Sequence, residues 1–194
     1  MSEQPSSKEI FRGKLITLRL ETLPQPSGGT SRYEIVEHPG GVAIVALREG
    51  SGSEPEVVLI SQQRPAIGKL LWEIPAGLVE ANERDRPELT AARELREETG
   101  YLAERWQLLT RVYLSPGFST ETSTIYLAQS AYPAPGTPAA GAAEDPTEIL
   151  QIRWLPLSEA IAWCQRGEIS DSKTVLGLYL TTQFHERWSV APVS

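Results

Sequence analysis

The most informative pattern in the chain lies at residues 77–101, which read GLVEANERDRPELTAARELREETGY. From about Pro87 onward this stretch predicts a helix, because Leu95 and the alanines before it give a face that can be buried. The helix is expected to end at Thr99, since Gly100 is a C-terminal stop of the left-handed type.

Three acidic residues of this helix share one face, because positions three and four apart are neighbours on a helix surface. They are Glu94, Glu97 and Glu98, and Arg93 is spaced to pair with Glu97. Adjacent carboxylates repel one another unless a cation joins them, and an all-oxygen ligand set suits Mg²⁺ or Mn²⁺ better than zinc. The alternative interpretation is an acidic helix face exposed to solvent.

The whole stretch resembles the Nudix box, in which a glycine, an acidic residue and a REUxEExGU helix follow one another. The matching residues are Gly77, Glu83, Arg93, Glu94, Leu95, Glu97, Glu98 and Gly100. Nine residues separate Glu83 from Arg93 here, whereas the family pattern has seven. We place the extra two residues in the loop before the helix, where added length costs little. Either Glu83 or Asp85 then takes the upstream acidic position.

Composition bounds the class of protein. The chain has 194 residues and a formal net charge of −7, which argues against binding to nucleic acid or to an anionic membrane surface. Its single cysteine, Cys164, excludes an internal disulfide and fits a reducing cytoplasm. No apolar run is long enough to suggest a transmembrane helix, and the first residues do not resemble a signal peptide.

The order of predicted elements is many strands, one acidic helix, more strands and two final helices, which indicates an α+β or mixed α/β fold. The predicted strands cover about 13–21, 31–37, 42–47, 57–64, 70–75, 106–114, 121–130 and 149–155. The predicted last helices begin near Ser158, as N-cap, and near Ser172, while the residues before Ser7 are expected to be frayed. The family resemblance implies an α/β/α sandwich with a mixed β-sheet, in which the box forms a loop–helix–loop.

Other segments resemble the ADP-ribose pyrophosphatases within the Nudix superfamily. These are the QRP sequence at 63–65, the LWEIPAG sequence at 71–77, and Ser115-Pro116-Gly117 with its proline sixteen residues after Gly100. The resemblance implies substrate-binding roles for Arg64, Glu73, Ser115 and Gly117. By its chemistry, a guanidinium at a strand end can grip a diphosphate with two bonds, and the alternative is a structural salt bridge between Arg64 and Glu73.

The resemblance also implies the metal site. Its ligands would be the Ala76 carbonyl, Glu94 and Glu98, with Glu97 as a bridging or second ligand. Arg93 would orient the acids. The Pro75-Ala76 step forces an extended backbone, which can aim a carbonyl at a metal.

The long segment at 131–148, rich in Pro, Ala and Gly, is expected to be a functional loop. In the family a glutamate on the matching loop activates water or completes a metal site. Aligned on its strand entry, Glu148 becomes the acid that approaches the metal, and the family's base falls on Pro146. Glu144 or Glu148 would then act as the base, unless the metal-bound water is acidic enough to need little help.

Near the N-terminus, Arg32-Tyr33-Glu34 resembles the segment that reaches the adenine and ribose in this family, often from the partner subunit. The alternative is an ordinary strand. Residues 1–40 are interpreted as an N-terminal strand region that forms a homodimer, and residues 41–194 as the hydrolase domain.

Together these features predict a Mg²⁺-dependent enzyme, with Mn²⁺ as an alternative ion, that hydrolyses ADP-ribose to AMP and ribose 5-phosphate. The alternatives are a hydrolase of another nucleoside diphosphate sugar or of a dinucleotide, and a non-catalytic nucleotide-sensing module. The box residues bear only on the diphosphate, so the choice of base and sugar depends on the weaker signals outside it.

Overall fold

A computed structural model of the chain describes residues 5–50, 52, 54–80, 82–138, 142–143 and 149–189. The strands are β1 (Ser6–Arg12), β2 (Thr17–Pro24), β3 (Thr30–Glu37), β4 (Gly41–Arg48), β5 (Glu56–Arg64), β6 (Lys69–Glu73), β7 (Ala76–Leu78), β8 (Tyr101–Tyr113), β9 (Thr122–Pro133) and β10 (Ile149–Pro156). The helices are α1 (Pro87–Thr99), α2 (Leu157–Arg166) and α3 (Ser172–Ser189). Two compact units emerge, one formed by residues 1–41 and 112–123, the other by residues 42–111 and 124–194.

The first unit contains the antiparallel sheet β1-β2-β3. Its strand β3 also makes a parallel bridge from Val36 to Ser119. Every residue of β1 is exposed, and large apolar side chains of this unit stand in solvent. They are Ile10, Phe11, Leu15, Leu23, Tyr33, Tyr113 and Phe118. Hydrogen bonding between the strands therefore contributes more to holding this sheet together than burial of its side chains does.

The second unit is built on β4, whose apolar run VAIVAL is buried throughout. The larger sheet has the strand order β10-β5-β4-β9-β8, with β6 paired to β5 and β7 paired to β4. Side chains alternate across a strand, so β4 supplies both faces of the sheet with apolar groups. A strand buried on both faces indicates covering layers above and below it.

Those layers are helical. On one face, Ala43, Val45 and Leu47 of β4 pack in a core with residues of α2 and α3. On the other face, Val42, Ile44 and Ala46 pack with Ala91 and Leu95 of α1. The arrangement is the predicted α+β fold, with helices on both faces of a mixed sheet.

Helix α3 lies very close to the sheet at Gly177. A Cβ atom at this position would come within 2.9 Å of Val45, 3.2 Å of Ile74 and 3.3 Å of Ile125. A glycine is therefore required for the helix to approach this closely. At its N-terminus the carboxylate of Asp171 accepts the Thr174 N–H, an N-cap contact.

Several predicted boundaries need correction. Residues 1 to about 7 were expected to be frayed, but Ser6 and Ser7 already belong to β1, which pairs with β2, and residues 1–4 lie outside the described residues. Ala76–Leu78 forms the short strand β7, where a loop was expected. Ser158 is not the N-cap of α2, since the helix already begins at Leu157 and both the N–H and the hydroxyl of Ser158 bind Glu54 instead.

The helices in the described part of the chain include none that is both long and apolar enough to cross a bilayer.

Candidate active site

Helix α1 carries the acids that the sequence singles out. It begins with Pro87, has Glu88 in its first turn and ends at Gly100, whose φ of 72° is left-handed. Thr90, Ala91, Leu95 and Thr99 are its buried residues, and they turn the acidic positions toward β7. The predicted bounds of this helix are confirmed.

Strand β7 passes directly over the acids. The backbone N–H of Ala76 donates a hydrogen bond to the Glu98 carboxylate at 2.8 Å. At Gly77 there is no room for a side chain, because a Cβ atom would collide with the Glu94 carboxyl group. The Pro75 carbonyl just before β7 accepts a bond from the Ile44 N–H at 2.8 Å, so the central strand holds the segment in place. Glycine at 77 thus allows the backbone and the Glu94 carboxylate to lie this close, and a side chain here would displace that carboxylate.

One arginine joins most of the acids. Arg93 Nη1 lies 2.8 Å from Glu94 Oε1 and 2.8 Å from Glu97 Oε2, and Nη2 lies 3.5 Å from Glu83 Oε2. We refer to Arg93, Glu83, Glu94 and Glu97 as the Arg93 cluster. Glu83 also accepts the Thr90 hydroxyl at 2.8 Å, so Glu83 is the upstream acid that contacts the helix.

Burial makes this acidic group costly when no cation is added. Burial raises the pKa of Glu98 to about 8; the Ala76 hydrogen bond lowers it, while the nearby Glu94 charge raises it. Burial also raises the pKa of Glu94, against the opposing effect of Arg93. Burial would lower the pKa of Arg93, but Glu94 and Glu97 outweigh it and raise that pKa.

The donor set fits a hard divalent cation. Within the described ranges, no three His, Cys, Asp or Glu side chains converge to metal-binding distance, and Glu94 and Glu97 are instead paired with Arg93. The donors available near Ala76 are nevertheless all oxygens, and Glu98 is a buried acid whose ionised form an added cation would stabilise. Glu94, Glu97, Glu98 and the Ala76 carbonyl are therefore the groups that could hold such an ion.

A second ion network surrounds Glu73, whose side chain is only 1% exposed. Arg64 binds both carboxylate oxygens, at 2.6 Å through Nε and 2.7 Å through Nη2, and Lys173 Nζ lies 2.5 Å from Oε2. We refer to Glu73, Arg64 and Lys173 as the Glu73 cluster. Burial would raise the pKa of Glu73, but the bonds from Arg64 and Lys173 outweigh it and lower that pKa. The salt bridge considered for Arg64 and Glu73 is present.

Both networks face the same acid. The charges of Arg64 and Lys173 each act on Glu98, lowering its pKa against the larger effect of burial. Glu73 also lies three residues before Ala76, whose N–H binds Glu98, so one short stretch of backbone connects the Glu73 cluster to the acids of α1. Lys173 has no role in the sequence interpretation, although the Asp-Ser-Lys-Thr run before the last helix is a recognisable N-cap signal.

The remaining predicted residues lie elsewhere. Arg32, Tyr33 and Glu34 are in β3, and Tyr33 is 41% exposed with its hydroxyl 2.7 Å from Gln25 Nε2. Ser115 and Gly117 lie in the segment after β8, where the Ser115 carbonyl accepts the N–H groups of Phe118 and Ser119. These residues belong to the first compact unit, and the acids of α1 to the second. Glu144 and Glu148 lie outside the described residues.

Comparison with known proteins gives a family match. The profile of the NUDIX domain matches residues 37–176. A protein named methanol dehydrogenase activator from Bacillus methanolicus is 38% identical over 178 residues, covering 91% of each chain. An ADP-ribose pyrophosphatase from Mycobacterium tuberculosis is 39% identical over 176 residues, covering 91% of this chain and 81% of that one.

Two further proteins are similar to this chain. A GDP-mannose pyrophosphatase from Citrobacter koseri is 32% identical over 163 residues, covering 79% of this chain and 80% of that one. A crystal structure of an ADP compounds hydrolase superposes with a TM-score of 0.77 at 18% identity, covering 98% of this chain and 99% of the other. The structural match supports the fold, and the sequence matches support the family.

Proposed function

The chain belongs to the Nudix family and is a hydrolase acting on a diphosphate, and we propose that it hydrolyses ADP-ribose to AMP and ribose 5-phosphate with Mg²⁺. Nudix hydrolases use divalent metal ions. The choice of ADP-ribose draws support from the QRP, WEIPAG and SPG segments and from the similarity to the Mycobacterium tuberculosis enzyme.

One observation carries the proposal. The buried Glu98 carboxylate lies against the Ala76 N–H, and Gly77 leaves its side-chain space to the Glu94 carboxyl group. Two largely desolvated acids of like charge beside a half-buried backbone segment are a costly arrangement unless a cation binds there. The Glu73 cluster, with two cations around one acid, lies within electrostatic reach of the same place.

The metal-binding role falls to Glu94, Glu98 and the Ala76 carbonyl, with Glu97 as a bridging or second ligand. Bound Mg²⁺ would neutralise the diphosphate, lower the pKa of the attacking water and stabilise charge on the leaving phosphate. In the reaction, a water oxygen bonds to one phosphorus as the bond from that phosphorus to the bridging oxygen breaks. The bridging oxygen leaves on the other phosphate, and the proton from water passes to a base.

The chain's own residues do the remaining work. Arg93 holds Glu94 and Glu97 in position, as its two 2.8 Å contacts suggest. Arg64 has a side chain that is 38% exposed, and in this proposal its guanidinium binds a diphosphate oxygen. A loop acid, Glu148 or Glu144, orients the water or takes its proton.

Recognition of the rest of the substrate is assigned to weaker signals. In this proposal Arg32, Tyr33 and Glu34 reach the adenine and ribose, with Tyr33 stacking on the base, and Ser115 and Gly117 line the substrate site. The exposure of the Tyr33 ring is consistent with such contact.

We further propose that residues 1–40 form a homodimer interface beside the hydrolase domain at 41–194, in a protein of the cytoplasm. The support is the exposed apolar side chains of the β1-β2-β3 sheet, including Ile10, Phe11 and Leu23, which a partner could cover. Light scattering should give twice the 21.4 kDa chain mass. A monomeric mass would contradict the dimer without affecting the proposed reaction.

The decisive experiment measures AMP and phosphosugar release from ADP-ribose with Mg²⁺. Glu97→Gln and Glu98→Gln should each reduce the release by about a hundredfold or more. A panel with GDP-mannose, other nucleoside diphosphate sugars and dinucleotides separates the alternatives, since faster turnover of any of these would replace ADP-ribose as the proposed substrate. Tight nucleotide binding without turnover of any diphosphate would support the non-catalytic sensing module instead.

A further inference from the structure

The first turn of α3 places a lysine beside the diphosphate site. Lys173 Nζ lies 2.5 Å from Glu73 Oε2 and 2.8 Å from Asp171 Oδ1, and its side chain is only 14% exposed. Glu73 is separated from it by 100 residues of sequence. The contact between Lys173 and Glu73 therefore depends on the tertiary fold. Lys173 lies outside both the Nudix box and the segment around Arg64.

The bonding around Glu73 explains what the lysine can do. Oε1 accepts one bond from Arg64, whereas Oε2 accepts one from Arg64 and one from Lys173. Suppose that Arg64 were the sole cation beside Glu73. Turning Arg64 to a substrate phosphate would then leave the buried Glu73 carboxylate without a counterion, which is strongly unfavourable. Lys173 keeps that carboxylate paired and charge-balanced while Arg64 changes partners.

The lysine is held in place from two sides. The Asp171 carboxylate caps α3 by accepting the N–H and the hydroxyl of Thr174, at 3.0 and 2.6 Å. Thr174 Oγ1 in turn accepts the backbone N–H of Ile74, the residue after Glu73, at 3.0 Å. The start of α3 is therefore tied directly to the strand end that carries Glu73, so Lys173 has little freedom to move away.

From this geometry we propose that Lys173 is a positioning residue for the substrate diphosphate, acting through Glu73 to let Arg64 exchange its salt bridge for a phosphate. The inference rests on the proposed function for the identity of the ligand. It assigns Lys173 no contact with substrate. A purely structural ion pair would instead contribute to folding and leave diphosphate affinity unchanged.

The test measures binding separately from turnover. The probe is an ADP-ribose analogue with a methylene bridge between its phosphorus atoms, titrated by calorimetry in Mg²⁺. Lys173→Met should weaken binding roughly tenfold, since Arg64 then remains tied to Glu73. In turnover of ADP-ribose, KM should rise by a similar factor while kcat stays within about twofold. Lys69→Met, at an exposed lysine opposite Arg64 in the β5–β6 ladder, is the charge-matched control and should bind within about twofold of wild type.

A second pair of variants keeps the inference testable if Lys173→Met does not fold. Glu73→Gln removes the buried charge, so Lys173→Met added to it should change the Kd for the analogue by less than about twofold. Wild-type affinity in folded Lys173→Met, or a tenfold loss on adding Lys173→Met to Glu73→Gln, would overturn the inference. Analogue binding by wild type without turnover would refute the proposed hydrolysis and leave the role of Lys173 intact, whereas no analogue binding by wild type would overturn both.

Discussion

The Arg93 cluster and the Glu73 cluster contain the same chemical groups in opposite proportion. Around Arg93, one guanidinium lies within 3.5 Å of three carboxylates. Around Glu73, one buried carboxylate contacts two cations. The first cluster has surplus negative charge and suits a divalent cation. In the second, the two cations are balanced by Glu73 and by Asp171, and the half-exposed Arg64 is the group that could turn to a phosphate. A metal-bound diphosphate carries both complements, so under the proposed function the two clusters would bind different parts of one ligand in a chain of net charge −7.

The largest effect is expected for Glu98→Gln, which tests the acidic, metal-binding part of the site. It removes the α1 carboxylate whose pKa is raised to about 8 by burial, and we expect kcat for ADP-ribose to fall by about 10²–10³-fold, the range for loss of a key electrostatic group. Steady-state AMP release in Mg²⁺ measures the effect. Glu88→Gln, at an exposed acid in the first turn of the same helix, is the control and should keep near wild-type turnover. Equal losses in both variants would mean that the buried acid has no special role.

Gly77→Ala tests whether the metal side depends on close packing as well as on charge. A Cβ at this position would collide with the Glu94 carboxyl group, so that carboxyl must move. We expect a loss of about 10²-fold in kcat/KM, as for a misplacement of about 1 Å at a catalytic centre. Gly52→Ala is the control, since a Cβ there meets no atom within 4 Å. Wild-type activity in Gly77→Ala would show that Glu94 can be displaced without cost.

Arg64→Lys tests whether a positive charge alone, without the guanidinium geometry, is sufficient to bind the substrate phosphate. The substitution keeps the positive charge and removes the two-pronged geometry. We expect kcat/KM for ADP-ribose to fall about ten- to thirtyfold, equivalent to the loss of about one charge-assisted hydrogen bond. Arg166→Lys, at an arginine of α2 that is 49% exposed, controls for the exchange itself. An unchanged KM in Arg64→Lys would reduce the Glu73 cluster to a simple charge effect.

The smallest effect concerns stability without metal. The pKa of Glu98 is raised from 4.5 to about 8 in the folded protein, mainly by burial, so the folded form keeps a proton that the unfolded form loses in this range. The free energy of unfolding should therefore fall as pH rises from 4.5 to 8 and level off above it. In EDTA, Glu98→Gln should lack this decline and exceed wild type by about 1–2 kcal/mol above pH 8.

Urea denaturation at several pH values measures this difference, and the two proteins should converge near pH 4.5. Parallel pH profiles for the wild type and the variant would show that Glu98 ionises normally in the folded chain. Added Mg²⁺ should reverse the order, because only wild type gains stability from the ion.

Local signals explain what could be predicted. Helix α1 was placed correctly because Pro87 and Gly100 mark its ends, and the Arg93–Glu97 pair follows from helical spacing. The equally short contact of Arg93 with Glu94 was not predictable in this way. Adjacent positions do not face each other on a helix, and the long arginine side chain has to fold back to make the contact.

Features that depend on distant parts of the chain were missed. Strand β1 is exposed at every residue, so it has no burial pattern to detect and forms only through pairing with β2. The hydroxyl of Ser158 suggested a helix cap, but Glu54 binds it from a loop 104 residues away. Lys173 contacts Glu73 although 100 residues of sequence separate them, and no local rule of sequence spacing applies to such a pair.

The close approach of α3 at Gly177 has a consequence for how this protein can be changed. Replacing a helical glycine with alanine is a common route to higher thermal stability, because alanine favours the helix. Here the added methyl group would press on Val45 and Ile74 and lift the helix whose first turn carries Lys173. We therefore expect Gly177→Ala to lower the melting temperature despite the higher helix propensity of alanine, and also to disturb the placement of Lys173. Directed evolution of the protein should keep the spacing between α3 and the sheet fixed.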